Sequence, residues 1–364
     1  MPQVEIKNLT KIYQGLKGDK IKALNHINLK IKDKAYNTLL GPSGCGKTSL
    51  LKIITGLIKP TSGKVLFNKK DVTKKSPQDR DIGFVFQHFA TFPHLDVWHN
   101  VSYGPVIRGR SAEEISEIVN RNLELVGLAQ RANAMPDELS GGMRQRLGLA
   151  RALASQSKLL LLDEPLSALD AKIGTYIRYE LRRIVKKYKL TAIHVTHNQD
   201  EAMTISDNII LMKKGQIVQT GSPADLYDKP KTIFAANFMG KCSFFKAKKL
   251  TDHLAEYQGV KIKVKQKIKD KEVILGVRPE KVHLSRKLNK KLIFGKIEII
   301  NYLGYLFEYR INVQGNIVKA YKRFKEKDIK QRYKVGDLVS FWFYPEDILV
   351  YKAPKDLDKE LSLE

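Results

Sequence analysis

The sequence predicts an α/β domain built on a buried parallel sheet, followed by a smaller all-β domain, and three observations carry that expectation. A glycine-rich loop at 41–49 joins an apolar strand ending at Leu40 to a helical run. The stretch Leu159-Leu160-Leu161-Leu162 is continuously apolar, as strands covered on both faces are, and it ends abruptly in Asp163 and Glu164. Beyond Phe238-Met239-Gly240 helical spacing largely disappears and short alternating runs take over.

In chain order, residues 3 to 13 and 23 to 32 alternate apolar and polar side chains and flank a polar turn, which predicts a small antiparallel sheet. After the loop, Leu50, Leu51, Ile53, Ile54, Leu57 and Ile58 recur at helical spacing up to Pro60. A short hairpin is expected from Lys64 to Phe67, and residues 82 to 87 read as a buried strand ending in the amide of Gln87. Residues 88 to 155 are expected to form a helical insertion, with a capping box at Ser111-Ala112-Glu113-Glu114 and one face held by Ile115, Ile118, Val119, Asn122 and Val126. Strands at 159–163 and 191–196, the second ending at His197, then a hairpin around Lys213-Lys214-Gly215, complete a first domain of residues 1–239. Runs at 261–268, 273–277, 291–300, 307–311 and 338–343 predict a barrel or sandwich over 240–364.

The chemistry is concentrated in Gly41-Pro42-Ser43-Gly44-Cys45-Gly46-Lys47-Thr48-Ser49. Gly, four residues, then Gly-Lys-Thr between a strand and a helix is a phosphate-binding loop, whose backbone N–H groups turn inward around an anion at the positive end of a helix dipole. Lys47 is expected to reach the outer phosphates of a nucleoside triphosphate, and Thr48 to ligate Mg²⁺. Asp163 and Glu164 end a strand at the edge where open α/β sheets bind ligands, and His197 would share that edge. Tyr13 offers a ring face to an adenine or serves as a partly buried strand tyrosine.

Composition limits the alternatives. Hydrophobic and charged fractions of 43% and 28% are those of a soluble globular protein. No run is long and apolar enough to span a bilayer, and the opening Met-Pro-Gln-Val-Glu-Ile lacks a basic-then-apolar leader, so a cytosolic location is expected. The two cysteines, Cys45 and Cys242, suggest neither a disulfide framework nor a metal cluster. The formal net charge of +27 invites a nucleic-acid reading, but the excess is spread over both halves of the chain and reads as a lysine-rich solvated surface; an anionic membrane nearby would also suit it.

With Leu139-Ser140-Gly141-Gly142-Met143-Arg144-Gln145-Arg146, between the helical insertion and the Asp163 strand, the chain resembles the ATP-binding cassette family over essentially its whole length. Gln87 looks like that family's Q-loop glutamine, Asp163-Glu164 its Walker B pair, Ser167-Ala168-Leu169-Asp170 its D-loop and His197 its switch histidine. Tyr13 then resembles the adenine-stacking aromatic. One departure is Met143, where the signature usually carries glutamine. The resemblance implies a homodimer packed head to tail, each ATP held by one chain's phosphate loop and by Ser140, Gly141 and Gly142 of the other, with Asp170 at the same junction. It also implies that Thr48, Gln87 and Asp163 attend Mg²⁺, that Glu164 polarises the attacking water, and that His197, Lys47 and Gln87 complete the catalytic set.

Gly276-Val277-Arg278-Pro279-Glu280 and the cassette end at Asp228 to Gly240 resemble the importer ATPases of the sugar, polyamine, iron and sulfate uptake group, in which an oligonucleotide-binding-like barrel, the TOBE domain, follows the cassette. That resemblance implies integral membrane permease subunits and a solute-binding protein as partners, no nucleic acid, and a place on the cytoplasmic face of the membrane. Phe89, Phe92 and Trp98 are then expected near the groove that takes a coupling helix, or packed within the helical insertion. Polyamine-type cargo is slightly favoured over sugar. The alternative is a soluble cassette ATPase acting on nucleic acid or ribosomes, against which stand the single cassette and the lack of a long coiled-coil run; the C-terminal barrel argues against an exporter.

Overall fold

The structure is a computed structural model that describes residues 3–15, 18–86, 90–289, 291–323 and 333–362. Contacts divide the chain into two compact units, Met1–Asp225 and Leu226–Glu364. Among the described residues no helix is long and apolar enough to cross a membrane.

In the first unit β1 (Val4–Gln14) and β2 (Lys20–Lys30) pair antiparallel, and β1 also pairs with β4 (Ser62–Phe67), which is extended by β5 (Lys70–Asp71). This is the small sheet that the alternation of residues 3–13 and 23–32 predicts. The second sheet contains β3 (Tyr36–Leu40), β6 (Ile82–Val85), β7 (Leu159–Asp163), β8 (Thr191–Thr196), β9 (Asn208–Lys213) and β10 (Gln216–Gly221), in the order β10-β9-β3-β8-β7-β6. All pairings are parallel except the β9–β10 hairpin. Every residue of β3, β7 and β8 is buried, which requires cover on both faces. Successive side chains point oppositely along a strand, so Leu39, Leu161 and Ile193 pack against α1 (Lys47–Thr55), while Leu160, Leu162 and Ala192 face the other core.

That other core holds α2 (Val97–Ile107), α3 (Ala112–Leu125), α4 (Gly141–Ala154) and α5 (Ala171–Lys187). The predicted helical insertion is thus three α-helices, with a short turn between α2 and α3 and a longer 126–140 connection, carrying 3-10 turns at Ala129–Arg131 and Pro136–Glu138, between α3 and α4. Ser111 caps α3 in a complete capping box, as its sequence indicates, and Ile118, Val119 and Leu123 fill the buried face. Trp98 packs partly against this core, whereas Phe89 lies outside the described residues. A short helix, α6 (Gln199–Ile205), follows β8.

The second unit starts within α7 (Pro223–Asp228) and contains α8 (Ile233–Phe238). The sequence boundary at 239/240 separates these helical residues from the β region, but the contacts divide the chain earlier. The physical reason is Arg278. Its buried guanidinium donates to the carbonyls of Ala236, Gly240 and Lys241 through one nitrogen and of Tyr227 through another, and it lies 4.2 Å from the Tyr227 ring centroid. Arg278→Ala should leave those carbonyls without a donor and lower unfolding free energy by about 3 kcal/mol, read from denaturant titration of the full chain.

The β strands form two five-stranded antiparallel sheets around one core. The first has the order β13-β12-β11-β14-β20, from β11 (Ser243–Thr251), β12 (Leu254–Tyr257), β13 (Val260–Lys263), β14 (Glu272–Val277) and β20 (Leu349–Lys352). The second has the order β15-β19-β16-β17-β18, from β15 (His283–Ser285), β16 (Ile293–Tyr302), β17 (Leu306–Val313), β18 (Asn316–Arg323) and β19 (Leu338–Trp342). The predicted strand 261–268 is shorter than its alternation suggests. Val264 and Ile268 donate their N–H groups to the His253 and Asp252 carbonyls instead of continuing the ladder, and both side chains enter the core.

Glu308 on β17 is only 1% exposed and accepts from Lys241 Nζ at 2.5 Å, Asn301 Nδ2 at 3.1 Å and Arg310 Nε at 3.3 Å. Burial alone would raise its pKa, but the hydrogen bonds from Lys241, Asn301 and Arg310, with the Lys241 charge, win and hold it at about 2. A carboxyl depressed from its unfolded value contributes stability that is full above roughly pH 4.5 and is lost as pH falls towards about 2. Trp342 fluorescence should therefore report acid unfolding between those limits, with the slope reduced in Glu308→Gln.

Candidate ATP site

Strands β3, β7 and β8 run parallel and end together, so the loops that follow them, at Gly41, Glu164 and His197, gather at one sheet edge. The 41–49 loop is shaped by close approach. A Cβ on Gly41 would lie 2.3 Å from the Met212 carbonyl oxygen, and one on Gly46, at φ 102°, would lie 2.4 Å from that of Ala23. Helix α1 begins directly after Gly46 with no side-chain cap, which leaves its first N–H groups for an anion.

Lys47 is 5% exposed and donates to the carbonyls of Gly41 and Pro42, both at 2.8 Å. The ammonium is thus folded back over the loop that would hold phosphates. Burial pushes the Cys45 thiol pKa up, only partly offset by Lys47 beside it, so Cys45 is a packed thiol. Tyr13 Oη and Ser49 Oγ share a hydrogen bond of 3.2 Å, and Lys11 Nζ lies 4.9 Å from the Tyr13 ring centroid. This places the half-exposed Tyr13 ring beside the loop.

Thr48 Oγ1 donates to Asp163 Oδ1 at 3.1 Å. Asp163 is 1% exposed, and burial, joined by the neighbouring Glu164 charge, raises its pKa despite that bond. Glu164 Oε1 lies 3.2 Å from His197 Nδ1. The Glu164 backbone is left-handed at φ 48°, a strained state for a residue with a side chain, and it is over-determined by its neighbours. Its N–H donates to the Val195 carbonyl, while its own carbonyl accepts from Ser167 N–H and from Gln145 Nε2 at 2.9 Å.

Not every expected residue meets the loop. Ser140 caps α4 by accepting from the Met143 N–H, and Asp170 caps α5 by accepting from the Ile173 N–H. A Cβ on Gly142 would lie 3.1 Å from the Ala168 carbonyl oxygen, so the Ser140-Gly141-Gly142 segment neighbours the 164–170 loop. Among the described residues no hydrogen bond joins Ser140, Gly141 or Gly142 to residues 41–49 within one chain. Gln87 lies outside the described residues.

Two supporting elements escaped the sequence reading. Gln145, buried on α4, donates to the Glu164 carbonyl and accepts the Ala168 N–H at 2.9 Å, so it clamps the strained turn; only its position two residues after Met143 hinted at a role. Glu201 accepts from Thr196 Oγ1 at 2.6 Å, Thr196 Oγ1 accepts the Asn198 N–H, and Arg178 of α5 lies 3.9 Å from Glu201. These contacts fix the residues on both sides of His197. Nearby, His194 is fully buried and its pKa is pushed down to about 3 by desolvation, then by the Arg178 charge, so it stays neutral and bonds Tyr36 Oη at 2.9 Å. Asn198 and Glu201, three apart, were readable as a helix start; the Thr196 and Arg178 contacts depend on tertiary packing. Glu201→Ala should free the His197 loop and lower kcat by about tenfold with little change in KM, a split that steady-state ATPase assays resolve.

A phosphate loop, an acid pair and a histidine on one parallel-sheet edge, with a capped signature helix alongside, define a nucleoside triphosphatase of the cassette type. Residues 24–167 match the ABC transporter family and residues 275–350 the TOBE domain. The spermidine/putrescine import ATP-binding protein PotA of Clostridium novyi is 38% identical over 355 residues, covering 97% of this chain and 99% of that one. The Fe(3+) ions import ATP-binding protein FbpC 1 of Haemophilus influenzae is 42% identical over 284 residues, covering 77% and 85% respectively. The dimeric structure of MJ0796, a bacterial ABC transporter cassette, superimposes with a TM-score of 0.57 at 34% identity, covering 60% of this chain and 98% of that one. The chain belongs to the ABC transporter family, as an ATPase of the import ATP-binding group with a C-terminal TOBE domain.

Proposed function

We propose that this chain binds ATP between the 41–49 loop of one copy and the Ser140-Gly141-Gly142 segment of a second, and that hydrolysis there drives solute uptake through membrane permease subunits. The observation that carries the reading is the division of the motifs: Lys47, Thr48, Asp163, Glu164 and His197 converge in one chain, while among the described residues no hydrogen bond joins Ser140, Gly141 or Gly142 to the 41–49 loop. A dimeric MJ0796 cassette supports a second copy as the source of the missing half.

In this reading the loop amides and Lys47 hold the β- and γ-phosphates and absorb charge as it develops, Tyr13 stacks on the adenine, and Glu164 orients and deprotonates the attacking water. His197, held against Glu164, steadies the γ-phosphate. Ser140 and the α4 N-terminus approach that phosphate from the other chain, and Asp170 lies at the same junction. The Thr48 hydroxyl and the buried Asp163 carboxylate form a pair of hard oxygen donors that fits Mg²⁺, with Gln87 a further candidate; no group of three or more His, Cys, Asp or Glu capable of holding a metal occurs among the described residues. When bound there, Mg²⁺ would neutralise phosphate charge.

Tyr103, Val106 and Ile107 on α2 are exposed, an apolar edge suited to a permease helix. Polyamine cargo is favoured by relatives such as the Clostridium novyi protein, whereas the Fe(3+) and sulfate/thiosulfate import relatives keep other cargo open to test. The protein would then work peripherally at the cytoplasmic membrane face, together with a solute-binding protein. Mild-detergent isolation of the tagged chain from its native membranes should co-purify multi-span subunits and a solute-binding protein whose ligand names the cargo. Recovery of nucleic acid or ribosomes alone would overturn the import role.

A further inference from the structure

A second recess lies far from the ATP site. A cavity of about 680 Å³ opens between the C-terminal ends of α3 and α4 and one face of α5. Its walls include Asp81, Lys158 and Leu190, which immediately precede β6, β7 and β8, so it sits at the sheet edge opposite Gly41, Asp163 and His197. Five-residue strands separate the two edges by roughly 16 Å.

The lining carries an excess of positive charge, with six basic side chains against three acidic. Arg108 pairs with Asp81, and Arg183 with Glu180; Arg110 is shared between Glu114 and Gln156. Arg121, Lys158 and Lys187 line the same cavity with no ion pair among the described residues, and Glu124 is the remaining acid. Arg121 and Lys187 both lie on the Tyr188 ring, 5.8 and 5.5 Å from its centroid. Leu125, Leu153, Ile184 and Tyr176 supply apolar wall. Like charges gathered around an aromatic, partly apolar recess of ligand size are complementary to an anion with a planar body.

We propose that this cavity binds a ring-bearing organic phosphate, whose phosphate meets Arg121, Lys158 and Lys187 and whose ring lies along Tyr176 and Tyr188. Its occupant would bridge the helical insertion and α5 without entering the ATP site, and the proposal stands apart from the import reading.

Pyridoxal 5′-phosphate is a suitable probe because it has this chemistry and reports position. Its aldehyde condenses with a lysine amine to an imine and water, and borohydride then reduces the imine to a stable secondary amine. With the full chain saturated in a non-hydrolysable ATP analogue, peptide mass spectrometry should find Lys158 and Lys187 labelled at about tenfold lower probe concentration than the likewise exposed Lys261 and Lys263 of β13. Excess inorganic phosphate should protect both, and Arg121→Gln should raise the concentration for half-labelling of Lys187 by about tenfold while ATP turnover without probe is unchanged. Labelling of Lys158 and Lys187 no more readily than Lys261 and Lys263, or indifference to Arg121→Gln, would overturn the site. Loss of the ATPase assignment would show in turnover alone and leave the labelling pattern intact.

Discussion

Glu164→Gln is expected to reduce ATP turnover by at least about a hundredfold while ATP affinity stays within about threefold. Glutamine preserves the shape and the hydrogen bond towards His197, and the clamps on the residue are backbone contacts from Val195, Ser167 and Gln145 that the substitution does not touch. What is lost is the carboxylate that, in the proposed mechanism, accepts a proton from water. Chemistry should therefore stop with substrate in place, and ATP-bound dimer should accumulate in sedimentation velocity. Turnover equal to that of the unaltered chain would remove Glu164 from the proposed mechanism.

Lys47→Ala should act earlier, on binding. The buried ammonium is now satisfied by the Gly41 and Pro42 carbonyls, so it can exchange those partners for phosphate oxygens without first being pulled from water. Removing it should weaken ATP binding by about a hundredfold, measured by calorimetric titration, because charge-assisted contacts to two phosphates disappear together. The loop turns themselves rest on Gly41 and Gly46, so circular dichroism should remain that of the unaltered protein. Unchanged affinity would mean that the loop does not hold the nucleotide.

Much of this arrangement was legible in the chain. Continuous apolarity at Leu159 to Leu162 marks a strand buried on both faces, and the loop pattern locates the expected phosphate cradle at the end of β3, on the other side of β8 in the same sheet. The supporting shell was less visible for a physical reason. Gln145 acts on a carbonyl nineteen residues away, and Arg178 approaches Glu201 from another helix, so neither relation has a sequence period. The β unit was read correctly as β but incompletely in its strands: β15 and β20 are too short for alternation to register, β11, β12 and β18 were missed as well although β11 and β18 are long, and the 261–268 pattern continues after its backbone has left the ladder. Asp170 and Ser140 are drawn from motifs, yet within one chain both serve as helix caps, a role their residue types satisfy unaided.

The central claim is that an ATP site is assembled from two chains, and complementation measures it directly. In a Glu164→Gln background, a Lys47→Ala chain has a damaged loop and an intact signature, and a Ser140→Arg chain has the reverse. Each alone should remain monomeric with ATP. Their mixture should form dimers retaining one ATP per two chains after gel filtration, since one loop and one signature remain intact across the interface. A mixture that stays monomeric, or a Ser140→Arg chain that retains ATP as well alone as in the mixture, would contradict the shared site.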